Sequence, residues 1–190
     1  MKKNVEKINK LWYQDGHFNE DQRDFFISLL KDLKPKYILE IGWASGRSAS
    51  TILNSCNPKN MISIDLNLDY INGARAWSEN FDQFENYKIV EGDSNKVLTE
   101  NFFKENFKKG LDFCFVDGCH TYNCAKLDME NCFPKINEGG VMIVDDYRSG
   151  PPNGCSLQDV NNAVEDFAKA NNLSFDSWNE KGKGFAIFKK

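Results

Sequence analysis

Short apolar runs alternate with amphipathic segments along most of the chain. The runs are nearly continuous in hydrophobic, β-branched and aromatic residues, which is typical of parallel strands buried on both faces. They occupy residues 37–42, 61–65, 87–93, 111–117 and 139–146. This alternation predicts a doubly wound α/β fold, in which helices cover both faces of a mostly parallel sheet.

The segments between these runs show helical spacing. In residues 21–34, Phe25, Leu29 and Leu33 form one stripe with Phe26 and Leu30 beside it, as expected for a helix that packs on a core, and Pro35 marks the end of the segment. Further helices, which would connect the strands, are predicted at residues 46–56, 68–81, 123–136 and 157–170.

Residues 173–190 depart from the alternation. They contain two strand-like runs joined by a turn rich in Gly and Lys, which predicts a β-hairpin. The last strand is then antiparallel to its neighbour. Together with the five earlier runs, the hairpin gives a seven-stranded sheet that is mostly parallel and ends in an antiparallel pair.

Length and composition fit one globular domain. The chain has 190 residues, of which 41% are hydrophobic, so residues 1–190 are expected to form a single domain with its own core. No apolar run approaches the ~20 residues that a membrane helix needs, and the N-terminus lacks the apolar core of a secretory signal. A net charge of −4 disfavours binding to nucleic acids. We therefore expect a cytoplasmic protein without membrane or nucleic-acid partners.

The cysteines give no sign of a disulfide framework or a zinc site. None of the six forms a CxxC pair, and the chain has only two histidines, His17 and His120. We expect reduced thiols with structural roles. The cysteines are Cys56, Cys114, Cys119, Cys124, Cys132 and Cys155.

Every predicted parallel strand ends close to an acidic residue. Ligands of open α/β sheets bind beyond the carboxyl ends of the strands, so these positions are candidates for a binding site. The strand ends read EIGWASG (40–46), SID (63–65), EGDS (91–94), VDGCH (116–120) and VDDY (144–147).

The Gly-rich turn after the first strand would bring backbone N–H groups and a helix N-terminus close to a ligand. It does not match the dinucleotide fingerprint G-x-G-x-x-G, because Ala44 and Arg47 stand where glycines would follow Gly42. The phosphate-loop pattern is also absent from the sequence. A nicotinamide oxidoreductase is therefore disfavoured, and a nucleotide triphosphate has no support.

The acids favour a nucleoside ligand without phosphates. Asp65 follows Gly46 by 19 residues and ends the second strand, where a carboxylate can accept ribose hydroxyls. Asp93, with Ser94, is placed to accept an adenine amino group. Glu40 is an unusual residue to bury unless it orders the turn or meets a cation. These features fit a nucleoside that carries a positive charge.

Taken in order, the motifs EIGWASGRS, SID, GDS, DGCHTY and GGVMIVDDY resemble those of class I S-adenosylmethionine-dependent methyltransferases. More narrowly, the chain is similar to the small family related to catechol and macrolide O-methyltransferases. The resemblance covers roughly residues 20–190. It implies a Rossmann-like fold and S-adenosylmethionine as cofactor.

The resemblance also assigns roles to residues. It implies that Gly42, Gly46 and Ser48 hold the methionine end, that Asp65 binds the ribose, and that Asp93 and Ser94 lie on the adenine side. For Trp43, two positions stay open, on the cofactor or on the helix that follows its own loop. The full set of implied cofactor contacts is Glu40, Gly42, Trp43, Gly46, Ser48, Asp65, Asp93, Ser94 and Asp117.

A divalent cation is the second implied ligand. Asp117, Asp145 and Asp146 would meet at the ends of neighbouring strands and offer hard oxygen donors, for which Mg²⁺ is the natural candidate. In metal-dependent relatives, acids at these positions bind the cation, which binds and acidifies the substrate hydroxyls. The alternative is that Asp145 and Asp146 cap a turn while Asp117 only positions the cofactor.

His120 is the predicted general base, and it forms the predicted catalytic pair with Asp117. Some metal-dependent relatives carry an acid two residues after the first metal aspartate, where this chain has Cys119. The alternative for His120 is a loop histidine that bonds only to the backbone, and that role is favoured for His17.

The expected reaction is O-methylation of a small hydroxylated molecule. Residues 1–20, and within them 11–18, are expected to close the acceptor pocket together with 147–154. A homodimer is left open. Two other functions are kept: a non-catalytic nucleoside-binding scaffold with the same fold, and a relative of cephalosporin hydroxylase-like proteins.

Overall fold

The computed structural model of the protein describes residues 18–69, 75, 78–148, 155–180 and 182–190, with residues 155–157 described by their backbone alone. One seven-stranded sheet runs through this part of the chain in the order β3-β2-β1-β4-β5-β7-β6. The strands are β1 (Tyr37–Ile41), β2 (Asn60–Asp65), β3 (Tyr87–Glu91), β4 (Leu111–Val116), β5 (Ile136–Val144), β6 (Asp176–Glu180) and β7 (Lys183–Lys189).

The pairing confirms the predicted sheet. Strands β1 to β5 pair in parallel. Strand β7 is antiparallel to both β5 and β6, so the C-terminal hairpin inserts its second strand next to the parallel part. The fold is therefore the doubly wound, Rossmann-like arrangement expected from the sequence.

The helices between the strands agree with the sequence in most places. They are α1 (Glu20–Leu33), α2 (Arg47–Ser55), α3 (Ser94–Val97), α4 (Glu100–Asn106), α5 (Tyr122–Cys132) and α6 (Cys155–Ala170), with 3₁₀ turns at Glu79–Phe81 and Phe133–Lys135. Helices α3 and α4 were not predicted. Most of the helix predicted at 68–81 lies outside the described residues.

The core has a cluster on each face of the sheet. One cluster packs under α1 and α2, and the other under α5 and α6. Four phenylalanines predicted as core residues are fully buried: Phe113, Phe115, Phe185 and Phe188. No helix among the described residues is long and apolar enough to cross a membrane.

The buried face of α1 differs slightly from the predicted stripe. Phe26 and Leu30 are fully buried, whereas Phe25 and Leu29 are only partly covered. Phe26 lies edge-on to Phe115 of β4, with ring centroids 4.8 Å apart. The helix is therefore rotated so that its deepest contacts fall on the two residues predicted beside the stripe.

The topological switch point lies between β1 and β4, where the chain order of the strands reverses. Here the loop after β1 contacts the loop after β4 directly. Gly42 has φ +91°, and a Cβ at this position would lie 1.8 Å from the carbonyl oxygen of Asp117. Only glycine fits this approach, so the sequence places the crevice between these two loops.

Candidate active site

The Gly-rich loop, residues 42–46, is held by the acid at the end of β2. Oδ2 of Asp65 accepts hydrogen bonds from the backbone N–H groups of Trp43 and Ala44, at 2.8 and 2.7 Å. Its Oδ1 accepts from the N–H of Asn67 at 2.9 Å. Three of the roughly four lone-pair directions of a carboxylate are thus used within the protein. The residue expected to bind ribose also fixes the loop.

These bonds hold an unusual backbone in place. Ala44 has φ +48°, a left-handed conformation that is disfavoured for alanine. Two successive N–H groups bonded to one carboxylate oxygen stabilise this turn. Gly46, at φ +75°, then begins α2 as its N-cap.

The structure settles the position of the Trp43 side chain. The indole is 1% exposed and lies edge-on to Phe81, with ring centroids 5.5 Å apart. A Cβ on Gly46 would lie 2.7 Å from the Phe81 ring and 2.8 Å from the Trp43 ring. The Trp43 ring is therefore part of the core beneath the loop, and a contact between its side chain and the cofactor stays a prediction.

Glu40 lies below the same loop and has no solvent exposure. Its Oε1 accepts a hydrogen bond from the hydroxyl of Ser48 at 2.5 Å, and its Oε2 accepts one from Ser63. Burial raises the pKa of Glu40 to about 7, although the two serine hydroxyls oppose the rise. The hydrogen bond between Glu40 and Ser48 thus links β1 to the start of α2. Of the two roles considered for a buried Glu40, it fits the one in which Glu40 orders the turn.

The end of β3 is shaped by Asp93. Its Oδ1 accepts from the N–H of Asn95 at 3.0 Å, so Asp93 is the N-cap of α3, with Ser94 as the first helical residue. Asp128 of α5, which the sequence did not single out, is fully buried beside them. Burial raises the pKa of Asp128 to about 6.

The ends of β4 and β5 bring three ionisable side chains together. Asp117, His120 and Asp146 each offer a ligand atom, and these atoms lie within 4.8 Å of one another. Nε2 of His120 lies 3.1 Å from Oδ2 of Asp146 and 3.8 Å from Oδ1 of Asp117. Asp146 has φ +61°, so this cluster sits on a strained turn, as functional residues often do.

Asp145 borders this cluster but faces another partner. Its Oδ1 accepts a hydrogen bond at 2.9 Å from Nε2 of Gln22, which is fully buried in the first turn of α1. Gln22 also closes the capping box with Asn19. This link was not predictable from the sequence, because a glutamine at a helix start is usually exposed. Asp145 thereby anchors α1 to the end of β5.

The crowding of acids changes their ionisation. Burial raises the pKa of Asp117 well above its ordinary value, and the carboxylates of Asp146 and Glu40 add to the rise. Burial and the neighbouring Asp117 likewise raise the pKa of Asp145. Lys183 of β7, which was not predicted as a site residue, opposes both shifts. We call the group formed by Asp117, His120, Asp145 and Asp146 the acid corner. It favours a bound cation, because a cation lowers the energy of all the ionised carboxylates.

The donor set fits a divalent cation. Carboxylate oxygens are the ligands that Mg²⁺ and Mn²⁺ prefer, while an imidazole nitrogen suits transition metals. Asp117 and Asp146 offer the oxygens and His120 the nitrogen. The corner can therefore hold Mg²⁺ through oxygens alone, or Mn²⁺ with the imidazole as an added ligand.

The predicted acceptor pocket is described only in part. Residues 1–17, including His17, and residues 149–154 lie outside the described residues. Phe18 is 4% exposed and packs edge-on against Phe26, and Tyr147 is 2% exposed with its hydroxyl donating to Glu165 at 3.2 Å. Phe18 and Tyr147 thus pack in the core, and their place in the lining of the acceptor pocket stays a prediction.

The fold and this edge of the sheet define the class. A doubly wound sheet with an antiparallel β7, a clamped loop after β1 and acids at the following strand ends is the architecture of a class I S-adenosylmethionine-dependent methyltransferase. A family model described as a methyltransferase domain matches residues 39–147, more than half of the chain, and the chain belongs to this family. A search of curated protein sequences finds no significant match.

Solved structures of methyltransferases share the fold. An O-methyltransferase from Bacillus cereus in complex with SAH aligns with a TM-score of 0.76 at 18% identity, over 99% of this chain and 90% of that one. Methyltransferase PaMTH1 from Podospora anserina, bound to SAH, gives 0.75 at 16% identity, over 99% and 86%. The O-methyltransferase TomG from Streptomyces achromogenes, in complex with SAM, gives 0.72 at 16% identity, over 100% and 89%.

Proposed function

We propose that the protein transfers the methyl group of S-adenosylmethionine to a hydroxyl of a small molecule, assisted by a divalent cation. The observation that carries this proposal is the convergence of Asp117, His120 and Asp146 within 4.8 Å, next to the clamped Gly-rich loop. Two proteins of similar structure, an O-methyltransferase in complex with SAH and one in complex with SAM, support the choice of cofactor and reaction.

The loop and the strand ends would hold the cofactor. We place the methionine end against the backbone of residues 42–46 and the adenine near Asp93 and Ser94. Leu66 follows Asp65 and is 72% exposed, so an adenine ring resting on it would bury apolar surface. Asp65 keeps one lone-pair direction free of protein contacts, which is enough for a single ribose hydroxyl unless the loop shifts.

The reaction would use the acid corner for the acceptor. We assign the carboxylates of Asp117 and Asp146 to the cation, with Asp145, which is bonded to Gln22, as their neighbour. We assign the imidazole of His120 to the proton of the acceptor hydroxyl. One imidazole nitrogen cannot act as ligand and base at once, and Mg²⁺ prefers oxygen ligands. A bound cation would lower the pKa of the acceptor hydroxyl. The protein would otherwise align the hydroxyl oxygen with the methyl group.

The cofactor assignment is tested by calorimetry with S-adenosylhomocysteine. We expect the wild type to bind it and Asp65→Ala to bind at least about tenfold more weakly, because the variant loses both the ribose contact and the loop clamp. Glu105→Ala, which removes an exposed acid on α4, is the matched control. No heat with the folded wild type would reject the proposed function. Equal affinity for Asp65→Ala would reject the role of Asp65 alone.

The reaction is tested by turnover of catechols and sugar hydroxyls, with and without a chelator. We expect the chelator to suppress methyl transfer, and Asp146→Ala to remove the metal-dependent rate while it still binds S-adenosylhomocysteine. Turnover that is indifferent to the chelator would exclude the cation from the reaction. Cofactor binding without turnover of any acceptor would favour the non-catalytic scaffold instead.

We also propose a cytoplasmic location and a single domain over residues 1–190. The five described cysteines are free, which agrees with a reducing compartment. One continuous sheet links residues 37 to 189, which supports a single domain. The negative net charge supports the absence of a nucleic-acid partner. A homodimer stays a prediction, which sedimentation would test.

A further inference from the structure

Lys183, the first residue of β7, extends its ammonium group into the acid corner. Its Nζ lies 3.9 Å from Oδ1 of Asp146, while Oδ2 of the same carboxylate faces His120. The Asp146 side chain is only 10% exposed, and that of Lys183 is 27% exposed. Both oxygens of a proposed metal ligand are thus in contact with a nitrogen of the protein.

The backbone brings Lys183 to this position. The antiparallel pairing of β5 and β7 sets the start of β7 beside the end of β5. Gly184 allows a close approach, because a Cβ there would lie 2.1 Å from the carbonyl oxygen of Tyr147. Asn179 of β6 also donates to the carbonyl of Arg148 at 2.7 Å. The hairpin is therefore fastened to the turn that carries Asp146, and Lys183 is held near the corner.

Lys183 adds a positive charge beside the carboxylates of the corner. Among the described residues, the recorded ion pairs of Asp117 and Asp146 are formed with His120 and Lys183. The corner thus already contains one fixed positive charge supplied by the chain.

We propose that Lys183 is a built-in counter-ion of the cation site, which competes with the divalent cation for Asp146 and so weakens metal binding. This inference rests on the proposed function, since it takes the corner to be the cation site. A divalent cation bound at Asp117 and Asp146 would meet the ammonium at close range and be repelled by it. It would also have to displace the ammonium from one of its ligand oxygens.

The test is Mn²⁺ binding, measured by calorimetry and by electron paramagnetic resonance on the protein without cofactor. We expect Lys183→Met to bind Mn²⁺ at least about tenfold more tightly than the wild type, because the repulsion and the competition are both removed. Lys183→Arg keeps the charge and is expected to stay within about threefold of the wild type. Lys189→Met removes an exposed lysine of the same strand and is the matched control.

Two results would overturn the inference. Equal affinity of Lys183→Met and wild type would show that the ammonium does not compete. Weaker binding by Lys183→Met, and by a second variant, Lys183→Gln, would show that Lys183 supports the site. Thermal melts of each variant confirm that it is folded.

The same experiment separates this inference from the proposed function. Asp146→Ala is expected to lose most Mn²⁺ affinity, and if it does not, the corner is no cation site and the inference fails with it. If Asp146→Ala loses affinity while Lys183→Met matches the wild type, only the role of Lys183 is wrong. Calorimetry with S-adenosylhomocysteine tests the methyltransferase assignment without reference to either outcome.

Discussion

At the scale of single residues, the ionisation of Glu40 is coupled to folding. Its pKa is raised from 4.5 to about 7, so between these pH values the folded protein keeps a proton that the unfolded chain has released. Folding stability therefore falls as pH rises through this window, by about 3 kcal/mol from this residue. Below pH 4.5 both states are protonated, and the effect disappears.

Glu40→Gln isolates this contribution. We expect the stability of the wild type relative to the variant to fall by about 3 kcal/mol between pH 4.5 and 7.5, measured by urea unfolding. Glu130→Gln, at an exposed position of α5, is the control and is expected to track the wild type. A difference between Glu40→Gln and wild type that does not change with pH would contradict the prediction.

Gly42 offers a second test at this scale. Gly42→Ala places a methyl group 1.8 Å from a backbone oxygen and keeps a positive φ, whereas Gly139→Ala has the positive φ alone, with nothing within 4 Å. We expect Gly42→Ala to lose at least about 2 kcal/mol more stability than Gly139→Ala, in urea unfolding. Equal losses would mean that the loops after β1 and β4 can separate freely.

The sequence predicted which residues lie at the site, but not the hydrogen bonds that these residues form with the rest of the protein. Asp65 and Glu40 were singled out from their positions at strand ends, and both lie at the site. Their hydrogen bonds to the protein were not predictable, because they depend on the left-handed turn at Ala44 and on the side chain of Ser63 from another strand. Lys183 was missed because strand pairing, and not sequence spacing, brings it to Asp146.

At the scale of elements, the contact between α1 and β5 depends on one buried side chain. Asn19→Ala and Gln22→Ala each remove half of the capping box, but only Gln22→Ala also leaves Asp145 without its amide partner. We expect Asn19→Ala to reduce stability by about 1 kcal/mol and Gln22→Ala by about 2 to 3 kcal/mol. Urea unfolding at pH 7 measures both.

A further variant, Gln22→Glu, tests the hydrogen bond between Gln22 and Asp145 directly. Gln22→Glu keeps the length of the side chain but would place a second carboxyl group against Asp145, so we expect it to be at least as destabilising as Gln22→Ala at pH 7. If Gln22→Ala lost no more stability than Asn19→Ala, the bond between Gln22 and Asp145 would contribute nothing to the anchoring of α1.

Hydrophobic patterning predicted the elements wherever they are long and buried. The strands and the four long described helices were placed within a few residues. Helices α3 and α4 were missed because they are only four and seven residues long. Each is set by its cap, Asp93 or Thr99, and not by an apolar stripe.

At the scale of the whole molecule, both core clusters share the central strands. Leu39 and Ile41 of β1 face one cluster and Ile38 faces the other, so neither cluster can open without disturbing the same strand. We therefore expect a single cooperative unfolding transition for the described fold. A ligand bound at the switch point between β1 and β4 would stabilise this whole unit.

Thermal melts with S-adenosylhomocysteine test this linkage. At 100 times its dissociation constant the ligand adds about 2.7 kcal/mol, which corresponds to a rise in Tm of about 5 to 10 °C for a chain of this size. Asp65→Ala is expected to lose most of this shift at the same ligand concentration, whereas Asp146→Ala is expected to keep it. A ligand that split the melt into two transitions would mean that the two faces of the sheet unfold separately.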